Sequence, residues 1–187
     1  MQKINEDELL LLNLIAGEFY VVLPSFLKKF NLLAANVFCK VLNIYGVSSK
    51  IIMTRLWYSD LNQDKIAGCL NLDDKESWNG HFVCVVSNWL IDVSLIHLNT
   101  KFNVEVPDII LEKMNNPEND PKIISTKMLN NSSKLTWYRL SNFETELGRS
   151  SPILDELISQ NTNVLLKHLE KIFKKKNINN FNIEGRN

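Results

Sequence analysis

Apolar positions fall into two kinds of spacing along the chain, helical at both ends and alternating in between. Residues from Asn5 to about Gly17 read as a helix, with "NEDE" supplying a cap and an acidic first turn. Pro24 and Ser25 in "LPSFLKKF" mark a restart. The stretch "NLLAANVFCKVLNIYGV" then sets Leu32, Leu33, Ala35, Val37, Phe38, Val41, Leu42 and Tyr45 at the density of a mostly buried helix. Gly46 is placed to stop it. "SSKIIMTRLWYSD" is rich in β-branched and aromatic residues and predicts a strand. Asn62 to Gly80 is polar, holds Asp73, Asp74 and Glu76, and reads as a surface loop.

Two apolar runs follow, His81 to Val86 and Trp89 to Val93, joined through Ser87, Asn88 and Trp89 as a hairpin. "NTKFNVEVPDIILEKM" predicts a short extended piece and then a helical turn started by Pro107. "NNPENDPK" is the clearest loop. "SKLTWYRLSN" alternates as a strand, with Leu135, Trp137 and Arg139 on one face. Ser150 or Ser151 caps a last helix that has Pro152 in its first turn and Leu154, Leu157, Ile158, Leu165, Leu169 and Ile172 at helical spacing. Helices, then a run of strands, then a helix predict an α+β fold: N-terminal helices packed on a mostly antiparallel β-sheet, with a C-terminal helix. We expect one domain over residues 1–176 and a frayed tail over 177–187.

The 187 residues suit a single domain with its own core, and 45% apolar with 22% charged residues is ordinary globular usage. Formal net charge is zero, so no whole-chain attraction to nucleic acid or anionic membrane is expected. "KIFKKK" near the C-terminus reads as cations complementing the end of the last helix. The N-terminal apolar stretch follows Glu6, Asp7 and Glu8 and is interrupted by Glu18, the pattern of an amphipathic or buried helix and not of a signal peptide or membrane span. Three cysteines, Cys39, Cys69 and Cys84, make no CxxC pair and no metal spacing. Their odd number argues against a disulfide framework and for a reducing, cytoplasmic setting. No phosphate-binding loop, dinucleotide fingerprint, zinc-protease HExxH or GxSxG elbow occurs, and neither a cofactor nor a metal is expected.

The candidate chemistry lies in "SWNGHFVCVVSNWLIDVSLIHL". Period-two alternation puts His81, Val83 and Val85 on one face of a strand and Phe82, Cys84 and Val86 on the other. A hairpin turn at Asn88 and Trp89 brings Asp92 close to the level of His81. A carboxylate there can fix the imidazole tautomer and leave the other ring nitrogen for a nucleophile. A surface hairpin whose His and Asp pair weakly is the plainer alternative. His97 lines the same cleft or is an exposed polar residue after the strand, and His168 in "LLKHLEK" reads as a helix-surface residue.

A helix ending in "GV", a strand, then "GHFVCVV" and "WLIDVSL" together resemble the transglutaminase-like and arylamine N-acetyltransferase-like branches of the papain-like superfamily. The resemblance covers roughly Pro24 to Leu98. It implies a Cys at the start of the buried helix, a His opening one strand and an Asp closing the next, acting as a triad in acyl transfer or amide hydrolysis. The chain departs from the pattern at the nucleophile. Fifteen residues before Gly46, where the resemblance implies cysteine, stands Asn31. Cys39 is eight residues further on, ~12 Å along a helix and turned by ~80°. A thiol among Val37, Phe38 and Val41 is more often a small core hydrophobe.

Two functional readings follow. In one, the fold keeps its His81–Asp92 pair and cleft but is catalytically silent, and the module binds a peptide or protein. Asn31, Trp78 and His97 are then the candidate binding residues. In the other, Cys39, His81 and Asp92 form the catalytic set of an acyl transferase or amide hydrolase acting on a small acyl or amide substrate. Neither reading calls for nucleic acid or a membrane.

Overall fold

A computed structural model describes residues 4–24, 30–62, 64–67, 81–96, 98–99, 103–140 and 151–176. Helix α1 spans Glu6–Val22. Its start follows the expected cap: the Asn5 side chain accepts from the Glu8 amide at 2.8 Å, and Glu8 accepts from the Asn5 amide at 2.9 Å. It runs five residues past Gly17 because Phe19 and Leu23 still bury their side chains on the core side. Helix α2 spans Asn31–Ile44, with Leu33, Val37, Phe38, Val41 and Leu42 buried. Gly46 ends it at φ +80°, and the Val47 amide returns to the Leu42 carbonyl at 3.0 Å.

Seven strands are described, β1 Lys50–Ser59, β2 Asp64–Ala67, β3 His81–Val86, β4 Trp89–Asp92, β5 Ile110–Lys113, β6 Ile123–Met128 and β7 Lys134–Arg139. All pairings are antiparallel, in the order β5-β4-β3-β1-β7-β6, with β2 paired to the far part of β1. Helix α3, Pro152–Lys176, closes the described chain. Ser151 caps it, its Oγ accepting from the Leu154 amide at 3.2 Å. The architecture is therefore the expected α+β.

Several strands and connections differ from expectation, among them β6, Ile123–Met128, where no strand is expected. Pro107 starts no helical turn; Ile110–Lys113 pairs with β4 as β5, because Ile110 has a buried place in the sheet that a turn would not fill. Within the polar connection, Asp64–Ala67 pairs with Leu56–Ser59 of β1, where β3 no longer runs alongside. The rest of that connection, with Cys69 and Trp78, lies outside the described residues, as do Ser25, His97, Ser150 and the tail.

The sheet curls until its two ends meet. Lys127 of β6 contacts Glu112 of β5 at 2.5 Å, and the Thr126 amide donates to the Asn115 carbonyl at 2.7 Å. The curl makes two cores. Outside it, α1, α2 and α3 pack with Cys84, Val86, Ile91 and Val93. Inside it, Leu56, Val83, Val85, Leu90, Leu135 and Trp137 pack together. Alternation along β3 thus sends even-numbered side chains toward the helices and odd-numbered ones inward. Among the described residues no helix is long and apolar enough to cross a membrane.

Candidate functional site

His81 opens β3 with an odd number, so its imidazole takes the inner face, beside Val83. Asp92 closes β4 one residue past Ile91, and Ile91 faces the helices, so Asp92 also faces inward. The two meet: His81 Nε2 lies 2.5 Å from Asp92 Oδ2, with both side chains buried. The hairpin that sets this register turns at Ser87 and Asn88, Ser87 having φ +53°. With Asp92 ionised, the carboxylate only accepts, so Nε2 carries the hydrogen of this contact.

A charged group with no exposure needs several donors to replace its water. Asp92 has them. Trp137 Nε1 donates to Oδ2 at 2.9 Å, and the Ser94 amide and hydroxyl approach Oδ1 at 3.2 and 3.3 Å. On the other side of His81, the Thr54 hydroxyl donates to its carbonyl at 3.1 Å. Tyr20 of α1 donates to the Asp108 carbonyl at 2.7 Å, with the Val93 carbonyl 3.2 Å away, and so fastens α1 to the end of β4. Burial first, and then the negative charges of Asp108 and Asp92, push the Tyr20 hydroxyl well above the ordinary tyrosine range.

Asn31 is the first residue of α2. Phe30 before it supplies no side-chain cap, and Asn31 itself reaches across to β3. Its Nδ2 donates to the Phe82 carbonyl at 3.0 Å, its Oδ1 accepts from the Phe82 amide, and its Nδ2 also donates to Ser94 Oγ. The reason is in the ladder. Pairing between β3 and β4 stops at Cys84–Ile91. Phe82, two residues earlier on β3, points its N–H and C=O to the same edge, beyond the end of β4. The Asn31 amide continues the ladder there as a strand backbone would. One donor and one acceptor on a short side chain meet that need, which cysteine cannot do. A single chain of hydrogen bonds thus runs from Asn31 through Ser94 and Asp92 to His81 and Trp137.

Cys39 is elsewhere. It lies in the helix–sheet core and is disulfide-bonded to Cys84, with Cα atoms 6.0 Å apart. Cys84 points to the face of β3 opposite His81, so the sulfur of Cys39 is separated from the imidazole by the sheet itself. The structure does not bring Cys39 to the His81–Asp92 pair. The expectation drawn from an odd cysteine count is also corrected: two of the three pair, because α2 crosses β3 where the two cysteines face each other. His168 is half-buried and its Nε2 is 2.7 Å from Glu18 Oε2, linking α3 to α1 and remote in the fold from the hairpin.

The sequence reading missed Trp137, Ser94 and Tyr20 as members of the network. Alternation did place Trp137 on one face with Leu135 and Arg139, and an indole N–H in a buried strand must find an acceptor. Nothing local marks Ser94 or Tyr20. No group of three or more His, Cys, Asp or Glu suited to a metal ion occurs among the described residues. No protein-family model matches the chain, and no curated protein or solved structure matches it either. Fold and site define an α+β protein with a curled antiparallel sheet and a buried His–Asp pair adjoining a helix N-terminus.

Proposed function

We propose that the chain is a catalytically silent transglutaminase-like module that binds a peptide or protein. The observation that carries this reading is the Asn31 amide pairing with both backbone groups of Phe82. The resemblance implies a thiol at that position. A neutral amide has no comparable lone pair to offer a carbonyl, and here its donor and acceptor are committed to the strand. The His81–Asp92 pair then serves as a buried fastening between β3 and β4, tied to β7 through Trp137. A cytoplasmic setting belongs to the same proposal.

The test is thiol labelling with iodoacetamide, read by mass spectrometry on the folded protein kept reduced, so that Cys39 and Cys84 both carry thiols. We expect no cysteine to react faster than an ordinary exposed thiol, because a thiolate-prone sulfur needs a nearby base or helix N-terminus. Asn31→Cys places a thiol at the N-terminus of α2, and on the proposed reading its new sulfur should label quickly and lose that advantage when His81 is replaced by Gln. Rapid labelling of Cys39 in the unaltered protein, abolished by His81→Gln, would overturn the proposal in favour of a Cys39–His81–Asp92 acyl-transfer enzyme.

A further inference from the structure

The Cys39–Cys84 bond joins the two elements on which the site depends. Cys39 sits two helical turns after Asn31 on α2, and Cys84 sits three residues after His81 on β3. The same helix and strand are held together again at their starts by the amide of Asn31 on Phe82. Helix α2 is therefore pinned to β3 at two points, one covalent and one hydrogen-bonded. We infer that the cysteine pair is a reversible redox lock that sets how firmly the Asn31 end of α2 is held against the start of β3. This holds whether or not the site is silent, since it concerns only the mechanical link between helix and strand.

The chemistry closes with a small disulfide such as oxidised glutathione as oxidant. The Cys39 thiolate attacks one glutathione sulfur, the glutathione S–S bond breaks, and one glutathione thiolate leaves. The Cys84 thiolate then attacks Cys39 Sγ in the mixed disulfide and expels the second glutathione thiolate. The two protons lost by the cysteines end on the two departing thiols. Two protein thiols are oxidised and one glutathione disulfide is reduced to two thiols. Excess reduced glutathione runs the sequence backwards.

Burial gives the lock its gate. Cys39 is 4% exposed and Cys84 0% exposed, so neither sulfur meets a small disulfide or thiol while α2 lies flat on β3. Exchange proceeds through transient openings of this contact, the kind of local event that hydrogen exchange detects. Once closed, the bond removes those openings. When reduced, the contact relies on the surrounding packing and the Asn31 amide, and the start of α2 opens more often. The Phe82 amide reports this directly, because its acceptor is Asn31 Oδ1.

The experiment has two measurements on the whole chain. First, the protein is unfolded without reductant in the presence of excess iodoacetamide and weighed intact. We expect one of the three cysteines to be alkylated, and all three after reduction. Alkylation of all three without reductant, after prior treatment with oxidised glutathione, overturns the lock. Second, amide hydrogen exchange is compared for oxidised and reduced protein, with Cys39→Ala/Cys84→Ala as a permanently open reference. On reduction, exchange at Phe82 and at Ala34, whose amide closes the first turn of α2 on the Phe30 carbonyl, should rise at least about tenfold, while amides of β6 and β7 stay unchanged. No change at Phe82, or an equal rise at every amide, would show a staple for overall stability and overturn the inference. Neither result bears on whether Asn31 has displaced a nucleophile, which the labelling of Asn31→Cys decides separately.

Discussion

Asn31→Ala tests the central structural assertion, that a side-chain amide continues the β3 ladder past the end of β4. The substitution deletes three hydrogen bonds: two with the backbone of Phe82 and one with Ser94. A neutral hydrogen bond contributes a net ~0.5–1.5 kcal/mol. Asn31 is half-buried, so water can reach part of the vacated edge, and about 1 kcal/mol for each Phe82 bond is reasonable. The Ser94 bond is worth less, about 0.5 kcal/mol, because Ser94 keeps its contacts with Asp92. Alanine's better helix propensity returns about 0.5 kcal/mol. The net loss is about 2 kcal/mol, read as a fall in the urea midpoint at unchanged m-value, or as ~4–8 °C in Tm for a domain of this size. The Phe82 amide should lose protection more than its neighbours. A loss under 0.5 kcal/mol with the Phe82 amide still protected would refute the reasoning, since the backbone of β3 would then need no partner from α2.

Three more substitutions probe the surroundings. Trp137→Phe keeps the ring packing but removes a donor from a carboxylate with no exposure; we expect a loss of ~1.5–3 kcal/mol in urea unfolding, and a neutral result would show that Asp92 is satisfied without the indole. Gly46→Ala places a Cβ in open space but at φ +80°, so the cost is backbone strain alone, about 1 kcal/mol in the same assay. Tyr20→Phe removes the hydroxyl from the Asp108 carbonyl and should cost about 1 kcal/mol near neutral pH. Its pH dependence has a definite sign. The folded-state value for Tyr20 lies above the ordinary 10.0, so its contribution is full below pH 10 and declines as the pH rises above it. The gap in stability between Tyr20→Phe and the unaltered protein should therefore narrow at alkaline pH, as measured by urea unfolding at pH 8 and pH 11.

Elements with dense periodicity were legible because local pattern and tertiary burial agree in them. The capping box at Asn5, the glycine stop at Gly46 and the alternation of β3 each have a physical cause within a few residues. The His81–Asp92 pair was legible for the same reason: a two-residue turn fixes the register, and the register fixes which side chains share a face. Strands β5 and β6 were not legible. "ILEK" and "IISTKM" are short, and their place depends on β4 and β7, partners far away in sequence. The disulfide was missed because pairing depends on how α2 crosses β3 and not on the number of cysteines. Trp137 reaches Asp92 only through the curl of the sheet, for which no local signal exists, while Ser94 contacts Asp92 from two residues on.

A buried His–Asp pair that no thiol faces among the described residues does not itself argue for catalysis. A buried hydrogen-bonded polar pair adds little stability over a well-packed apolar pair of the same shape, yet removing one member leaves the other unsatisfied and costs ~1–3 kcal/mol, more for a charged group. Asp92 accepts from β3 through His81, from β7 through Trp137 and from its own turn through Ser94. Replacing Asp92 alone would leave a buried imidazole and an indole N–H without this acceptor; replacing His81 alone would remove a donor from a fully buried carboxylate. Each single substitution is costly even if the pair does no chemistry, whereas, on the proposed reading, an amide in place of a nucleophile at position 31 completes a strand edge. Under the proposed silent reading, a site that loses its reaction is expected to keep His81, Asp92 and Trp137 and to alter position 31, where this chain has Asn31.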